Sequence, residues 1–214
     1  MPSRCQVSES PLTTDLFENG PDVRPSLEVM AEGAVLLRAI ASPLESELVA
    51  ALHGIAVQAP FRHMVTPGGH RMSVAMTNCG SAGWITDRTG CRYGAHDPET
   101  GKAWPDMPPA FRDLAGKAAD RAGFSRFSPD VCLINRYVPG ARMSLHQDRD
   151  ELDFGAPIVS VSLGLPDAAP AARLVAHVLR DSALTRALAE RQIDALPAHQ
   201  GMLAVGERRD AVKE

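Results

Sequence analysis

The sequence predicts an α+β chain in which helices and hairpins precede an antiparallel β-barrel or jelly roll. Three observations predict it. Apolar residues recur at helical spacing in two separate segments of the front half. The period then changes to two from Val131 onward. There, polar side chains share one strand face, as the lining of a small-molecule cavity does. A half-exposed antiparallel sheet would carry the same alternation, and the pattern alone leaves both open.

Residues 1–30 read as an irregular, polar lead-in without an apolar segment before a cleavage site, so a cytoplasmic address is the expectation. Ala34 to Ile40 then forms a short β-like run. Ser42-Pro-Leu-Glu45 carries a helix start, with Ser as the cap and Pro at the first position. Leu44, Leu48, Leu52 and Ile55 give that helix one apolar stripe. A second helix is predicted from about Pro109 to Ala122, with Phe111, Leu114 and Ala118 on its buried side. Between the two, the Gly- and Thr-rich stretch from Thr66 to Pro98 reads as hairpins and loops. Leu133, Asn135 and Tyr137 share one face of the strand that starts at Val131. Ser160 and Ser162 share one face of Ile158–Gly164, with Val159, Val161 and Leu163 on the other.

With 214 residues, 44% hydrophobic and 22% charged, the chain has the size and balance of one globular domain. No apolar run approaches the roughly 20 residues of a membrane span. Cys5, Cys79, Cys91 and Cys132 form no C-x-x-C pair and read as small buried hydrophobes. The net charge of −4 excludes coating of nucleic acid by bulk charge. A local basic rim is still available, because Arg62, Arg71, Arg88 and Arg92, with His63 and His70, face one acidic residue, Asp87, between Phe61 and Tyr93. A solvated loop surface is the plainer alternative.

The sharpest chemical feature is His146-Gln-Asp148. An imidazole and a carboxylate one residue apart lie on the same side of an extended backbone, which is two-thirds of a 2-His-1-carboxylate iron site. Alone, it reads more readily as a hydrogen-bonded surface pair. Its surroundings are more specific. They are Leu133-Ile-Asn-Arg-Tyr137, Pro139-Gly-Ala141, Ser144-Leu-His-Gln-Asp-Arg-Asp150 and Pro157-Ile-Val-Ser-Val-Ser-Leu-Gly-Leu-Pro166. Upstream stand Thr66-Pro-Gly-Gly-His-Arg-Met-Ser-Val-Ala-Met-Thr-Asn-Cys-Gly80, Gly83-Trp84, Trp104-Pro105 and Met107-Pro108.

From about residue 33 to 166 this series resembles the bacterial branch of the AlkB family of Fe(II)/2-oxoglutarate-dependent nucleic-acid demethylases. The resemblance implies a double-stranded β-helix with N-terminal helices and nucleotide-recognition hairpins. It implies His146 and Asp148 as catalytic iron ligands, and Asn135, Arg136 and Tyr137 as the segment that binds 2-oxoglutarate. It implies Trp84 as the aromatic that stacks on a flipped-out base. Cys91, Arg92 and Tyr93 match the turn that contacts base and phosphate, although the family usually has an aromatic where Cys91 stands. Asp150 matches an acid beside the base, where a carboxylate favours a cationic methylated ring. The implied reaction is oxidative demethylation of N-alkylated bases in single- or double-stranded DNA, or in RNA, without a membrane partner.

The domain plan expected is a lead-in over 1–30, a truncated dioxygenase domain over 31–166 and a non-matching tail over 167–214. The tail has twelve alanines, six arginines, two glycines and no Phe, Trp or Tyr, and reads as one or two helices. Translation of a GC-rich gene in a shifted frame would give such a composition. The resemblance requires a second His ligand in a W-G-G … H-G setting, and an R-x-N-x-T-F-R strand whose first Arg pairs with 2-oxoglutarate. Neither is present after Pro166. His199 is a candidate third ligand by its distance from His146; His177, Arg208 and Arg209 have no matching surroundings. Two alternatives to an active demethylase follow: an inactive remnant lacking the third iron ligand and that Arg, or an enzyme whose tail supplies His199.

Overall fold

The computed structural model describes residues 25–31, 33–138, 140, 141, 143, 155–163, 175–179 and 201–207. Strand β1 (Ser26–Ala31) pairs antiparallel with β2 (Ala34–Arg38), with Gly33 in the turn at φ +75°. A 3-10 turn over Ser42–Leu44 leads into α1 (Glu45–Gln58). Then come β3 (Ala75–Gly80), the hairpin of β4 (Gly83–Asp87) and β5 (Gly90–Gly94), and α2 (Pro109–Arg121). Strands β6 (Val131–Tyr137), β7 (Ile158–Leu163), β8 (Val175–Leu179) and β9 (Gly201–Glu207) complete the order.

Seven strands form one sheet in the order β1-β2-β8-β7-β9-β6-β3, every neighbouring pair antiparallel. Pleating divides its side chains between two faces. On one face Leu37, Cys79, Cys132, Ile134, Val159, Val161 and Leu163 form a single apolar cluster with both helices. α1 contributes Leu48, Leu52 and Ile55, and α2 contributes Phe111, Leu114 and Ala118, all buried. Each large side chain so buried stabilises the fold by about 1.5–3 kcal/mol before ordering costs. The opposite face carries a second, smaller cluster built from Met64, Val74, Met76, Ile85 and Trp104. Both faces are covered around β6, so the half-exposed alternative is not what folds.

Three expectations need correction. Ser42 is not the helix cap: Leu44 donates to the Ala41 carbonyl at 2.9 Å, the 3-10 turn comes first, and the Ser42 hydroxyl is buried without a partner among the described residues. The end of the lead-in is a strand, because Ser26–Ala31 can close an antiparallel ladder against β2. The tail is not simply helical. Val175–Leu179 fits between β2 and β7, and Gly201–Glu207 between β7 and β6. Helix propensity is a weak prior, and two unpaired strand edges with their backbone donors and acceptors outweigh it. His177 falls at the register position between Leu36 and Ser160.

Candidate active site

Alternation along β6 sends Leu133, Asn135 and Tyr137 to the face away from the helices. The register continues this row across the sheet: Asn135 pairs with Met76 of β3 and with Leu203 of β9, which pairs in turn with Ser162 of β7. Asn135 is 2% exposed, and its Oδ1 has no hydrogen-bond partner among the described residues. A buried amide left so costs on the order of 1–3 kcal/mol, which marks the spot as one that a polar ligand can complete. Tyr137 lies two residues on. Burial pushes its phenol up to about 12, because the charged phenolate loses hydration there. The hydroxyl is therefore a neutral donor throughout the ordinary pH range. Arg136 does not join them: alternation turns it to the opposite face, where its guanidinium stacks over the Phe61 ring at 4.7 Å.

The β4–β5 hairpin stands beside this face. Trp84 and Tyr93 are directly opposite one another across it, as are Thr86 and Cys91. The Cys91 thiol donates to Thr86 Oγ1 at 3.4 Å. Trp84 and Tyr137 both pack against the smaller cluster, so hairpin and β6 share one apolar wall. At the hairpin tip Arg92 binds the Asp87 carboxylate at 2.6 Å and Thr89 Oγ1 at 3.0 Å. Those bonds, with the Thr89 amide and hydroxyl, hold Asp87 far below the usual carboxylate range, and its charge raises Arg92.

The basic rim expected from the sequence divides in two. Arg71 and Arg88 are exposed. Arg62 is not part of any rim: its Nη1 lies 2.5 Å from the buried Asp97 carboxylate, and its guanidinium covers the Trp104 ring at 5.1 Å. A charge this enclosed needs a partner, and the turn over 97–102 presents one.

Sequence reasoning missed how the hairpin is held. Asn78, fully buried in β3, uses both ends of its amide on the Trp84 backbone: Nδ2 donates to the Trp84 carbonyl at 3.1 Å, and Oδ1 accepts from the Trp84 amide at 3.0 Å. Trp104 Nε1 donates to the Gly94 carbonyl at 2.9 Å on the partner strand. Its ring lies so close to Gly83 that a Cβ there would meet Cε2 at 2.5 Å. A signal was available, because a polar Asn inside a strand run is out of place unless its amide has partners.

His146, Asp148, Asp150 and His199 lie outside the described residues. Among the described residues no group of three or more His, Cys, Asp or Glu is arranged to hold a metal ion. No described helix is long and apolar enough to cross a membrane.

A family model described as the 2OG-Fe(II) oxygenase superfamily matches residues 33–168. The chain is 56% identical over 152 residues to alpha-ketoglutarate-dependent dioxygenase AlkB of Escherichia coli (strain K12), covering 71% of this chain and 69% of that protein. An AlkB homolog of Caulobacter vibrioides (strain NA1000 / CB15N) is 52% identical over 117 residues, 55% of this chain and 51% of the other. Among solved structures, that of OsALKBH1 superposes with a TM-score of 0.58 at 21% identity, covering 86% of this chain and all of that one. This likeness establishes the jelly-roll architecture expected from the sequence.

Proposed function

The chain belongs to the 2OG-Fe(II) oxygenase superfamily, within it to the AlkB family, and from that premise we propose that it oxidatively demethylates N-alkylated bases in DNA or RNA. The observation that supports this most directly is the Asn135 side chain, buried with its Oδ1 unpartnered among the described residues and on the same strand face as Tyr137. The two fit a keto acid. An amide end turned over offers its NH2 to a carboxylate, and Tyr137 offers a hydroxyl that stays protonated.

Iron would be held by His146 and Asp148, with His199 the candidate for the remaining protein ligand. When bound, iron and 2-oxoglutarate supply the oxidation through which an N-methyl carbon leaves as formaldehyde. The rest of the work belongs to the chain. Trp84 offers a flat π face to an unstacked base, and the apolar wall it shares with Tyr137 keeps water from the pocket. Asp150 would favour a cationic methylated ring over its neutral parent by simple charge complementarity. Cys91, Arg92 and Tyr93 supply the outer contacts, and Arg92 can reach a phosphate only by loosening its pair with Asp87. Either strandedness of the substrate is compatible with a pocket that takes one base out of its stack.

The test is release of succinate that depends on Fe(II) and on an N-methylated oligonucleotide, with the unmethylated oligonucleotide as blank. Turnover that is lost in His146→Ala supports the proposal. Binding of 2-oxoglutarate without any turnover would overturn it for this chain. In an active protein, His199→Ala decides the third ligand: unchanged rate removes it from the metal site.

A further inference from the structure

The smaller cluster holds a device that family membership does not explain. β3 and β4 are joined by a tight turn, Gly80-Ser-Ala-Gly83, yet the hairpin is not a strand of the large sheet. Among the described residues one bridge, Ala82 to Val131, and the bond from the Ser81 amide to the Asp130 carbonyl tie the turn to β6, but no ladder runs along β4 to fix its angle to β3. In place of a ladder, the Asn78 side chain imitates a peptide group, giving one donor and one acceptor to Trp84 at 3.1 and 3.0 Å. Asn78 is fully buried on β3, whose other edge is fixed to β6 by a continuous register from Ala75 to Gly80. In that register Asn78 faces Leu133, one row from the Met76–Asn135 pair. The amide thus links the backbone of Trp84 to the strand face that carries Asn135.

We propose that Asn78 is a positioning residue for the nucleic-acid base: it sets where the Trp84 ring stands relative to the 2-oxoglutarate face, and so governs base affinity without touching the base. The inference rests on the reading of Trp84 as the stacking aromatic. The neighbouring contacts leave this role to Asn78. Trp104 meets the hairpin at Gly83 and at the Gly94 carbonyl, which lie opposite each other at its base. Those contacts hold the hairpin's foot, and the buried Ile85 packs its middle against the smaller cluster. The two Asn78 bonds act at the Trp84 backbone itself, one residue from that foot.

The experiment is a double-mutant cycle on binding of an N-methylated oligonucleotide, read by fluorescence anisotropy of the labelled strand, with 2-oxoglutarate affinity measured on every variant. Asn78→Ala should weaken oligonucleotide binding by about tenfold, the scale of two neutral hydrogen bonds lost in part to water. It should leave 2-oxoglutarate affinity within about twofold, since Asn135 and Tyr137 are untouched. In the Trp84→Ala background the same substitution should do nothing further. Equal losses in both backgrounds would overturn the proposal, because Asn78 would then act without Trp84. If Asn78→Ala fails to fold, the isosteric Asn78→Asp keeps the acceptor for the Trp84 amide, loses the donor to its carbonyl and should still weaken binding; an undiminished affinity there would overturn the proposal as well. A Trp84→Ala variant that binds the oligonucleotide as well as the parent would instead remove the stacking role itself, a failure of the functional reading and not of the clamp.

Discussion

The two faces of the large sheet obey different rules. Ile134 and Asn135 are consecutive on β6, and both are almost completely buried. Ile134 enters an apolar cluster to which two helices contribute, where burial of its side chain adds stability. Asn135 enters a face where its own oxygen is left without a partner among the described residues. One residue of strand pleat separates a position that packs from one that leaves a buried polar oxygen open to a partner beyond the described residues. Burial alone therefore does not identify the core of this protein; the side of the strand does.

The largest effect should come from the packed side. Ile134→Ala removes a fully buried side chain and should cost about 2–5 kcal/mol in urea unfolding, with 2-oxoglutarate affinity unchanged in the fraction that stays folded. Asn135→Ala should reverse the pattern, weakening 2-oxoglutarate at least about tenfold by calorimetry while changing stability by less than about 1 kcal/mol, because an unsatisfied oxygen is removed with the side chain. A large stability loss in Asn135→Ala would erase the contrast between the faces.

Tyr137→Phe should have a smaller effect at neutral pH, and a particular pH signature. The phenol is raised by burial from 10.0 to about 12. A group with a raised folded value stabilises the fold fully below its unfolded value and loses that contribution as pH rises through the folded one. The parent should therefore lose stability relative to Tyr137→Phe between about pH 10 and 12 and not below. Parallel unfolding curves across that window would show the phenol to be less enclosed than its position implies. Asp87→Asn should be the mildest change, a small loss of stability in urea unfolding, since its pair with Arg92 lies at an exposed hairpin tip. The pair's contribution is present above the usual carboxylate range and lost as pH falls, so the small difference should vanish in acid and in high salt.

Both helices and the early strands were legible in the sequence because their signals are local. The stripe Leu48, Leu52, Ile55 and the stripe Phe111, Leu114, Ala118 bury as spaced. Alternation also placed Asn135 with Tyr137, and the same rule placed Arg136 on the other side. Arg62 was misread because a charge in a loop region looks solvated until the chain brings Asp97 and Trp104 around it, contacts more than thirty residues away in sequence. Asn78 escaped notice for the same reason in miniature: its partner is six residues along, across a turn whose geometry no periodicity encodes. The tail was the hardest. Val175–Leu179 and Gly201–Glu207 are strands because two edges await them, and nothing in twelve alanines announces that. Translating the other two frames of the gene after Pro166 should yield an H … R-x-N-x-T-F-R stretch if the tail arose by a shift of frame; its absence from both would discard that origin.

The strand order β1-β2-β8-β7-β9-β6-β3 also bears on how the chain comes to be folded at all. Among the described residues β1 and β2 join the sheet through β8, and β6 joins β7 through β9, so elements late in the chain are the ones that stitch the earlier ones together. Sheets of this kind are slow, since the longest loops must close before the pairing that rewards them. During synthesis the front of the molecule would hold three separate pieces with unpaired edges until residue 207 clears the ribosome. The interval before that closure is when the protein is most exposed to aggregation and to proteolysis, and its length is set by topology and not by the active site.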